Sequence, residues 1–341
     1  LLGLFPADQV ISDPVELITY EIDAGVDRET PLAVLFPANT RDVIRVVEWC
    51  RDHQISIAAR GAGTCLSGGA IAAKCGLILE FSRMKEIQEI DETGLRARFQ
   101  PGVITLHFSD TVAEKGLYYP PDPGSDRAAT LGGTIAENAG GPHCLKYGVT
   151  TNYVMGMEVV LPDAQCITLG GPALDYPGID LHGLLTGSEG TLGIITSATV
   201  RLLKKPPAVM TMMAAFDSVD QACAAVSAII GNGIVPATLE LMDQKMMEIL
   251  EDYTHTGLPV QAGAALIIEV DGYSAGLQAQ IDHIISIINQ FKSFGLRSAK
   301  DEEERTAIWF ARKSVGATLA RLADAFFPAD PTVPRSLLGE A

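Results

Sequence analysis

Residues 60–69 read Arg-Gly-Ala-Gly-Thr-Cys-Leu-Ser-Gly-Gly and follow directly on an apolar run, residues 55–59, that is typical of a buried strand. Glycine lets a backbone approach a ligand closely, and successive N–H groups in such a loop can bind a phosphate. The stretch is neither a dinucleotide fingerprint nor a P-loop, since Leu66 stands where a third glycine is required and no Gly-Lys-Ser/Thr follows. Taken alone, it fits a phosphate loop and a tight turn equally well.

Three further glycine-rich segments lie downstream of this loop. They are residues 121–125 (Pro-Asp-Pro-Gly-Ser), residues 130–141 and residues 185–195. Glycine weakens helices and strands, so its repeated use indicates close approach to something flat or anionic. The alternative is loop-rich β structure without a ligand, and four separate segments argue against it.

The elements around these loops predict an α/β arrangement in the first 205 residues. Residues 42–50 have helical spacing, with apolar side chains on one face. Strands are predicted at residues 77–81, 95–99, 155–161, 166–169 and 193–203, and residues 162–165 form a hairpin turn between two of them.

The pattern changes after Lys204-Lys205-Pro206-Pro207, which is predicted to be a linker because paired prolines end regular elements. Strands are then predicted at residues 210–216, 237–241 and 264–270, and helices at residues 218–230, 244–252, 275–291 and 302–324. This order resembles a ferredoxin-like β-α-β-β-α-β unit with an extra helix. We therefore expect an α+β protein with domains at residues 1–205 and 206–341.

Composition narrows the class of partner. The formal net charge is −17, which disfavours binding to nucleic acid. The six cysteines include no C-x-x-C pair, so neither an iron–sulfur cluster nor a structural zinc site is expected. Free thiols, no visible signal peptide and no membrane-length apolar run together predict a cytoplasmic protein.

The four glycine-rich segments together resemble the FAD-binding domain of the vanillyl-alcohol oxidase and p-cresol methylhydroxylase family. The branch they resemble most is that of the glycolate oxidase D subunit and D-lactate dehydrogenases. Residues 138–148 (Asn-Ala-Gly-Gly-Pro-His-Cys-Leu-Lys-Tyr-Gly) and 187–193 (Gly-Ser-Glu-Gly-Thr-Leu-Gly) carry this resemblance, which runs from the Tyr20 region to Arg335. It implies a two-subdomain FAD domain followed by a ferredoxin-like cap, which we expect to be incomplete at its C-terminal end.

The resemblance also implies which residues bind FAD. The first loop would hold the diphosphate, the second and third segments would line the diphosphate and the isoalloxazine, and the fourth would lie near the ribityl chain and adenine. Some relatives attach the flavin through a histidine in the first loop, whereas this loop has Thr64, so dissociable FAD is predicted. The implied residues are Arg60, Gly61, Ala62, Gly63, Thr64, Ser67, Gly68, Pro121, Gly124, Ser125, Gly132, Gly133, Ala136, Asn138, Gly140, Gly141, Tyr147, Gly187, Glu189, Gly190, Gly193, Ile194 and Ile195.

The implied reaction oxidises a small 2-hydroxy acid to the 2-oxo acid. It needs a cation for the carboxylate, a base for the hydroxyl proton, and flavin N5 to take a hydride. Arg312, in Trp-Phe-Ala-Arg-Lys, and Arg335, in Val-Pro-Arg, are candidates for the cation; the alternative for each is a surface salt bridge. His143 is the candidate base, with a structural or flavin-contact role as its alternative. Relatives carry a His-x-Gly-Asp-Gly-Asn-x-His metal motif that is absent from these 341 residues, so no metal is assigned.

The predicted function is oxidation of glycolate or D-lactate, with electrons passing to a separate acceptor such as an iron–sulfur subunit, a quinone, a cytochrome or oxygen. The first alternative is a FAD-holding subunit that is inactive alone. A sugar or aryl-alcohol oxidase is a weaker alternative, because it gives no reason for Trp309 and Arg312 at that spacing. A homo- or hetero-oligomer, peripheral to the inner membrane, is compatible with these predictions.

Overall fold

The chain folds as two compact units, and the backbone passes from one unit to the other at three points. The computed structural model describes residues 1–173, 178–322 and 329–341. Unit 1 comprises Leu1–Gly141 and Gly148–Lys205, and unit 2 comprises Pro142–Tyr147 and Pro206–Ala341. The inclusion of Pro142–Tyr147 in unit 2 has no signal in the sequence.

The regular elements are numbered along the chain. The strands are β1 (Val10–Ile11), β2 (Ala33–Leu35), β3 (Ile57–Arg60), β4 (Leu77–Glu80), β5 (Ile87–Asp91), β6 (Arg96–Phe99), β7 (Leu117–Tyr118), β8 (Val154–Val160), β9 (Cys166–Gly170), β10 (Ile194–Arg201), β11 (Leu203–Lys204), β12 (Ala208–Phe216), β13 (Thr238–Asp243), β14 (Ala264–Gly272) and β15 (Phe294–Ser298). The helices are α1 (Pro14–Leu17), α2 (Thr40–Asp52), α3 (Thr105–Ala113), α4 (Leu131–Ala136), α5 (Cys144–Tyr147), α6 (Leu181–Leu185), α7 (Val219–Gly231), α8 (Gln244–Thr254), α9 (Ser274–Ile288), α10 (Glu302–Lys313) and α11 (Val315–Leu319).

Unit 1 contains a small sheet in the order β1-β2-β4-β3, in which β2, β4 and β3 run parallel. Helix α2 is capped at its N-terminus by Asn39, whose side chain accepts a hydrogen bond from the Asp42 N–H at 3.1 Å. Its buried face, with Val43, Val46 and Val47, packs in one core with the strands. The helical spacing of residues 42–50 therefore predicted this element correctly.

The second sheet of unit 1 is antiparallel, in the order β5-β6-β10-β8-β9. Ala97 and Phe99 of β6 are buried while Arg96 and Arg98 are not, as the alternation predicted. The predicted hairpin joins β8 to β9, with the Leu161 N–H donating to the Gln165 carbonyl at 2.8 Å. The N-terminal end of β10 and the C-terminal end of β3 both line the cleft described below.

Unit 2 contains an antiparallel sheet in the order β13-β14-β12-β15. With α7 after β12 and α9 after β14, this is the ferredoxin-like order, and α8 is the extra helix. Alternate residues of β12 and β14 point to opposite faces: one face packs against α7 and α9, the other against α8 and α10. The α+β fold class is confirmed.

Two features of unit 2 differ from the prediction. The fourth strand, β15, was not predicted, because Phe294–Ser298 is a largely exposed edge strand interrupted by Gly295. The helix predicted over residues 302–324 ends at Lys313, and α11 follows after Ser314; Ala323 and Asp324 lie outside the described residues. Within the described ranges, no helix is long and apolar enough to span a bilayer.

Candidate functional site

A cleft in unit 1 brings together three of the four glycine-rich segments. This cleft is partly open to solvent. Its walls come from the end of β3, from α4 and from the turn before β10. Nine of the residues predicted to bind FAD line it: Arg60, Gly61, Gly132, Gly133, Ala136, Gly190, Gly193, Ile194 and Ile195. A second, mostly apolar cleft adjoins it and shares Ala59, Gly190, Gly193 and Ile194.

The glycines of the cleft serve two different purposes. A methyl group on Gly61 would clash with Thr130, and one on Gly132 would clash with Pro101, so these glycines let the wall segments pack together. Gly190 instead faces the opening: it has φ +71°, and a methyl group there would lie 3.5 Å from the Ala59 methyl group. That methyl group would narrow the space between Gly190 and Ala59, so the shape of the cleft depends on glycine here.

The first loop presents a row of unused hydrogen-bond donors. In the part of the chain that the structure describes, the backbone N–H groups from Ala62 to Ser67 donate to no protein acceptor. They are exposed or half-buried. Successive N–H groups in a turn can form an anion site, so this loop offers donors that a diphosphate could use.

Two charged side chains hold this loop in place. Arg60 is buried, and its Nη1 donates to the carbonyls of Ile22 at 2.8 Å and Ala70 at 3.2 Å. Asp23 accepts from the Gly68 N–H and from the Cys65 thiol, both at 3.0 Å. Arg60 therefore braces the loop with its side chain.

Asp23 was not predicted as a site residue. It is 7% exposed, yet it precedes the loop by almost forty residues, and a lone aspartate in a polar stretch gives no sequence signal. Burial, followed by the hydrogen bond to Asp23, raises the pKa of the Cys65 thiol to about 12. The thiol is therefore a hydrogen-bond donor at neutral pH and not a nucleophile.

The third and fourth segments support each other through backbone hydrogen bonds. The carbonyls of Ile135 and Ala136, at the end of α4, accept from the Gly187 and Glu189 N–H groups at 2.9 Å. The predicted residue Asn138 adopts φ +50°, and its side chain accepts from the Thr151 N–H at 2.9 Å. These contacts fix the wall of the cleft.

Other predicted FAD residues lie outside the cleft lining. Pro121, Gly124 and Ser125 belong to a turn in which the Ser125 carbonyl accepts from the Ala129 N–H at 2.8 Å. Gly141 packs against Asp122, leaving no room for a side chain. Tyr147 belongs to unit 2, where its hydroxyl donates to Asp271 at 2.6 Å.

Unit 2 contains a buried polar cluster centred on Glu269 of β14, which is 1% exposed. One carboxylate oxygen, Oε2, accepts from Thr211 Oγ1 at 2.5 Å, Trp309 Nε1 at 2.8 Å and Arg305 Nε at 2.9 Å. The other, Oε1, accepts from Arg305 Nη2 at 3.1 Å and lies 3.3 Å from His143 Nε2. The His143 ring also stacks on Trp309, with centroids 6.1 Å apart.

Electrostatics keep Glu269 ionised. Burial alone would raise its pKa, but hydrogen bonds from His143 and Arg305 and the charge of Arg305 outweigh burial and hold the pKa well below its usual range. Two residues further along β14, Asp271 forms an ion pair with Lys146 and accepts from Tyr147. Two carboxylates on one face of β14 thus bind the segment Pro142–Tyr147.

The two candidate arginines occupy different surroundings. Arg312, in the last turn of α10, donates through Nε to Glu240 at 2.6 Å. Across the described residues, its two terminal amino groups make no hydrogen bond. Arg335 is exposed, and its backbone carbonyl accepts from Ser227 of α7, which packs on the opposite face of the sheet from α10. His143 and Arg312 therefore lie on one face of the sheet of unit 2, and Arg335 lies beyond its other face.

The sequence contains a signal for Glu269 and Asp271 that the prediction missed. Both interrupt an apolar strand, Ala264–Gly272, at positions two apart, which puts them on the same face. Charged residues are almost never fully buried unless paired. Their partners, at residues 143–147 and 305, are far away in sequence, so the pairing itself was not predictable.

Comparison with known protein families matches both halves of the chain. Residues 31–170 match the family described as FAD binding domain. Residues 205–341 match the C-terminal domain of FAD linked oxidases. The fold and the cleft thus define a flavin-dependent oxidoreductase, and FAD is its cofactor.

Curated relatives agree with this class. The chain is 42% identical to the glycolate oxidase subunit GlcD of Escherichia coli over 98% of its own length and 67% of that protein. It is 44% identical to the GlcD subunit of Bacillus subtilis, covering 94% and 68%. It is 31% identical to a D-lactate dehydrogenase of Anaerostipes hadrus, covering 82% and 60%. The chain therefore belongs to the FAD-linked oxidase family and spans about two thirds of the length of the two GlcD subunits.

Solved structures confirm the fold. p-Cresol methylhydroxylase with bound substrate superposes with a TM-score of 0.73 at 17% identity, covering 89% of this chain and 66% of that one. An alkyldihydroxyacetonephosphate synthase gives a TM-score of 0.78 at 21% identity, covering 95% and 63%.

Proposed function

We propose that this chain oxidises a small 2-hydroxy acid of the glycolate or D-lactate type to the corresponding 2-oxo acid. The observation that carries the proposal is the identity of 42–44% to two glycolate oxidase subunits across both halves of the chain. In this reaction the substrate hydroxyl loses a proton and C2 loses a hydride. FAD, when bound, supplies the acceptor for that hydride and its two electrons.

In this proposal the cofactor is held by unit 1. The N–H groups of residues 62–67, which donate to no acceptor among the described residues, bind the diphosphate, and the two adjoining clefts receive the rest of the molecule. Arg60 and Asp23 act indirectly, by keeping the loop open. The remaining predicted residues support the loop or the cleft wall.

Arg312 is our candidate for the substrate carboxylate. Its Nε is anchored to Glu240, and its terminal amino groups make no hydrogen bond within the described ranges. A guanidinium held in this way can bind a carboxylate through two parallel hydrogen bonds. Arg305 of the same helix is unsuitable, because Glu269 and Glu302 already occupy its three nitrogens. Arg335 remains a weaker candidate, given its position beyond the other face of the sheet.

His143 is our candidate for the hydroxyl proton, since a neutral imidazole can act as a base near pH 7. Electrons then leave the flavin for a separate acceptor protein. Two relatives are named as subunits, which also favours the second candidate function, a FAD-holding subunit that is inactive without its partners.

The proposal is tested by dye-linked oxidation of glycolate by the FAD-loaded chain, compared with glycolamide and methoxyacetate. Glycolamide lacks the carboxylate and methoxyacetate lacks the hydroxyl proton. We expect turnover with glycolate or D-lactate and at least about 100-fold slower turnover with the two analogues. Equal rates with glycolate and glycolamide would contradict the assignment of a carboxylate site.

A further inference from the structure

The Nε edge of Arg312 is occupied by a carboxylate, and this sets the net charge at that guanidinium. Glu240 of β13 accepts from Arg312 Nε at 2.6 Å. The Glu240 side chain is 18% exposed and the Arg312 side chain is 35% exposed, so the pair lies at the border of solvent. The pair is formally neutral, and among the described residues the two terminal amino groups of Arg312 have no acceptor.

The register of the sheet explains why Glu240 faces α10. Glu240 pairs with Ile267 of β14, and Ile267 packs in the core on the side of α8 and α10. Side chains of residues that lie opposite each other on antiparallel strands share one face of the sheet. Glu240 therefore points towards α10, whose last turn presents Arg312. A strand and a helix, and not a loop, hold the two partners of this ion pair.

The cations that bind the neighbouring carboxylates of β14 are already committed. Arg305 uses all three of its nitrogens to bind Glu269 and a second carboxylate. Lys146 donates to both the side chain and the backbone carbonyl of Asp271. Arg312 differs from both, because an incoming anion finds two adjacent amino groups on it.

We propose that Glu240 is a specificity-determining residue that restricts the Arg312 site to acids with a single carboxylate. This inference rests on the proposed function, in which the terminal amino groups of Arg312 bind the substrate carboxylate through two parallel hydrogen bonds. Glu240 already balances the charge of Arg312, so the bound carboxylate gives the site one excess negative charge. A second carboxylate on a small substrate lies within one Debye length, about 8 Å, of that charge and is repelled.

Three acids without a hydroxyl group test this selectivity by binding alone. Propionate carries one carboxylate, succinate carries two, and succinamate is succinate with one carboxylate replaced by an uncharged amide of the same shape. None of them has the hydroxyl group that the proposed reaction oxidises. Isothermal titration calorimetry of the FAD-loaded chain measures their dissociation constants at about pH 7.5, where both carboxyl groups of succinate are ionised.

We expect the wild type to bind propionate and succinamate with similar affinity and succinate at least about 10-fold more weakly than succinamate. In Glu240→Gln the amide oxygen can still accept from Arg312 Nε, but the negative charge is gone. Succinate should then bind within about threefold of succinamate. Glu248→Gln, at an exposed position of α8, is the matched control, because it removes an equal charge from the same unit and should keep the wild-type preference.

Three results would overturn the proposal. One is equal affinity of the wild type for succinate and succinamate, which needs no variant and so remains decisive if Glu240→Gln does not fold. Another is a preference for succinamate in Glu240→Gln as strong as in the wild type, and the third is a wild type that binds none of the three acids. Flavin reduction by D-lactate in the same preparation tests the proposed function separately. A wild type that prefers succinamate but is reduced by no 2-hydroxy acid would refute the proposed function and keep the selectivity of the site, so the two failures are distinguishable.

Discussion

Two arginines of one helix, α10, show how local partners decide what a residue can do. Glu269 and Glu302 accept from all three nitrogens of Arg305, whereas among the described residues Arg312 is anchored only through Nε. We expect Arg312→Met to raise the glycolate concentration needed for half-maximal flavin reduction by about 10- to 100-fold, since a charge-assisted hydrogen bond contributes about 1.5–3 kcal/mol.

The control for this prediction is Lys313→Met, the next residue of α10, which removes an equal charge. Stopped-flow titration with glycolate measures both variants. If Arg312→Met needs the same glycolate concentration as the wild type for half-maximal flavin reduction, Arg312 does not bind the substrate carboxylate. Arg335 would then be the remaining candidate.

The low pKa of Glu269 makes the stability of the protein depend on pH. Its pKa in the folded protein lies below the value of about 4.3 in the unfolded chain. Its contribution to the free energy of unfolding is therefore fully present above about pH 4.3 and is lost as the pH falls towards the folded-state pKa. At pH 7, Glu269→Gln should lower the free energy of unfolding by about 3–5 kcal/mol, because Arg305 keeps its charge but loses this carboxylate partner.

Urea unfolding of wild type and Glu269→Gln between pH 7 and pH 3.5 tests this linkage. The gap in unfolding free energy should narrow below about pH 4.3 as the wild type loses its advantage. A gap that stays constant over this range would show that the Glu269 carboxylate is not stabilised by folding.

At the scale of elements, the cleft depends on small residues in its walls. Gly133 of α4 lines it, and the nearest atom that a side chain there would meet is Thr130 Oγ1 of its own N-cap, at 3.2 Å. Gly133→Val should therefore fill cofactor space and weaken FAD binding by about 1–3 kcal/mol, roughly 5- to 150-fold.

Gly171→Val is a suitable control, since a side chain at Gly171 meets nothing within 4 Å. Fluorescence titration of the FAD-free proteins with FAD measures both affinities. If Gly133→Val binds FAD as tightly as the wild type, the cofactor does not occupy the space beside α4.

Elements with a strong internal pattern were predictable from the sequence. The amphipathic helix α2, the alternating strand β6 and the apolar strand β14 all have patterns that arise from their own burial. Strand β15 was not predictable, because its residues are mostly exposed and only pairing with β12 makes them a strand. Long-range pairing explains the site residues missed as well: Asp23, Arg305 and Glu269 act through partners that are distant in sequence.

For the whole molecule, the proline pair predicts a domain boundary near residue 205, and nothing in the sequence predicts that Pro142–Tyr147 belongs to the second compact unit. The resemblance carried the assignment of FAD, and the structure adds the donors of residues 62–67 and the cleft.

Attachment of the cofactor is a further prediction at this scale. The loop of residues 60–69 contains no histidine, and Cys65 is protonated at neutral pH because its pKa is about 12. Acid precipitation of the holoprotein should therefore release all flavin into the supernatant. Flavin absorbance that stays with the precipitate would contradict dissociable binding.

We propose that the FAD held by this chain takes its electrons from a 2-hydroxy acid. The most direct measurement is the visible spectrum of the FAD-loaded chain, mixed without oxygen with glycolate, D-lactate, L-lactate or D-2-hydroxyglutarate in turn. We expect glycolate or D-lactate to bleach the oxidised flavin, and the 2-oxo acid to appear in an amount equal to the flavin reduced. A bound flavin that none of these acids bleaches would contradict the claim and favour a FAD-holding subunit that is inactive alone.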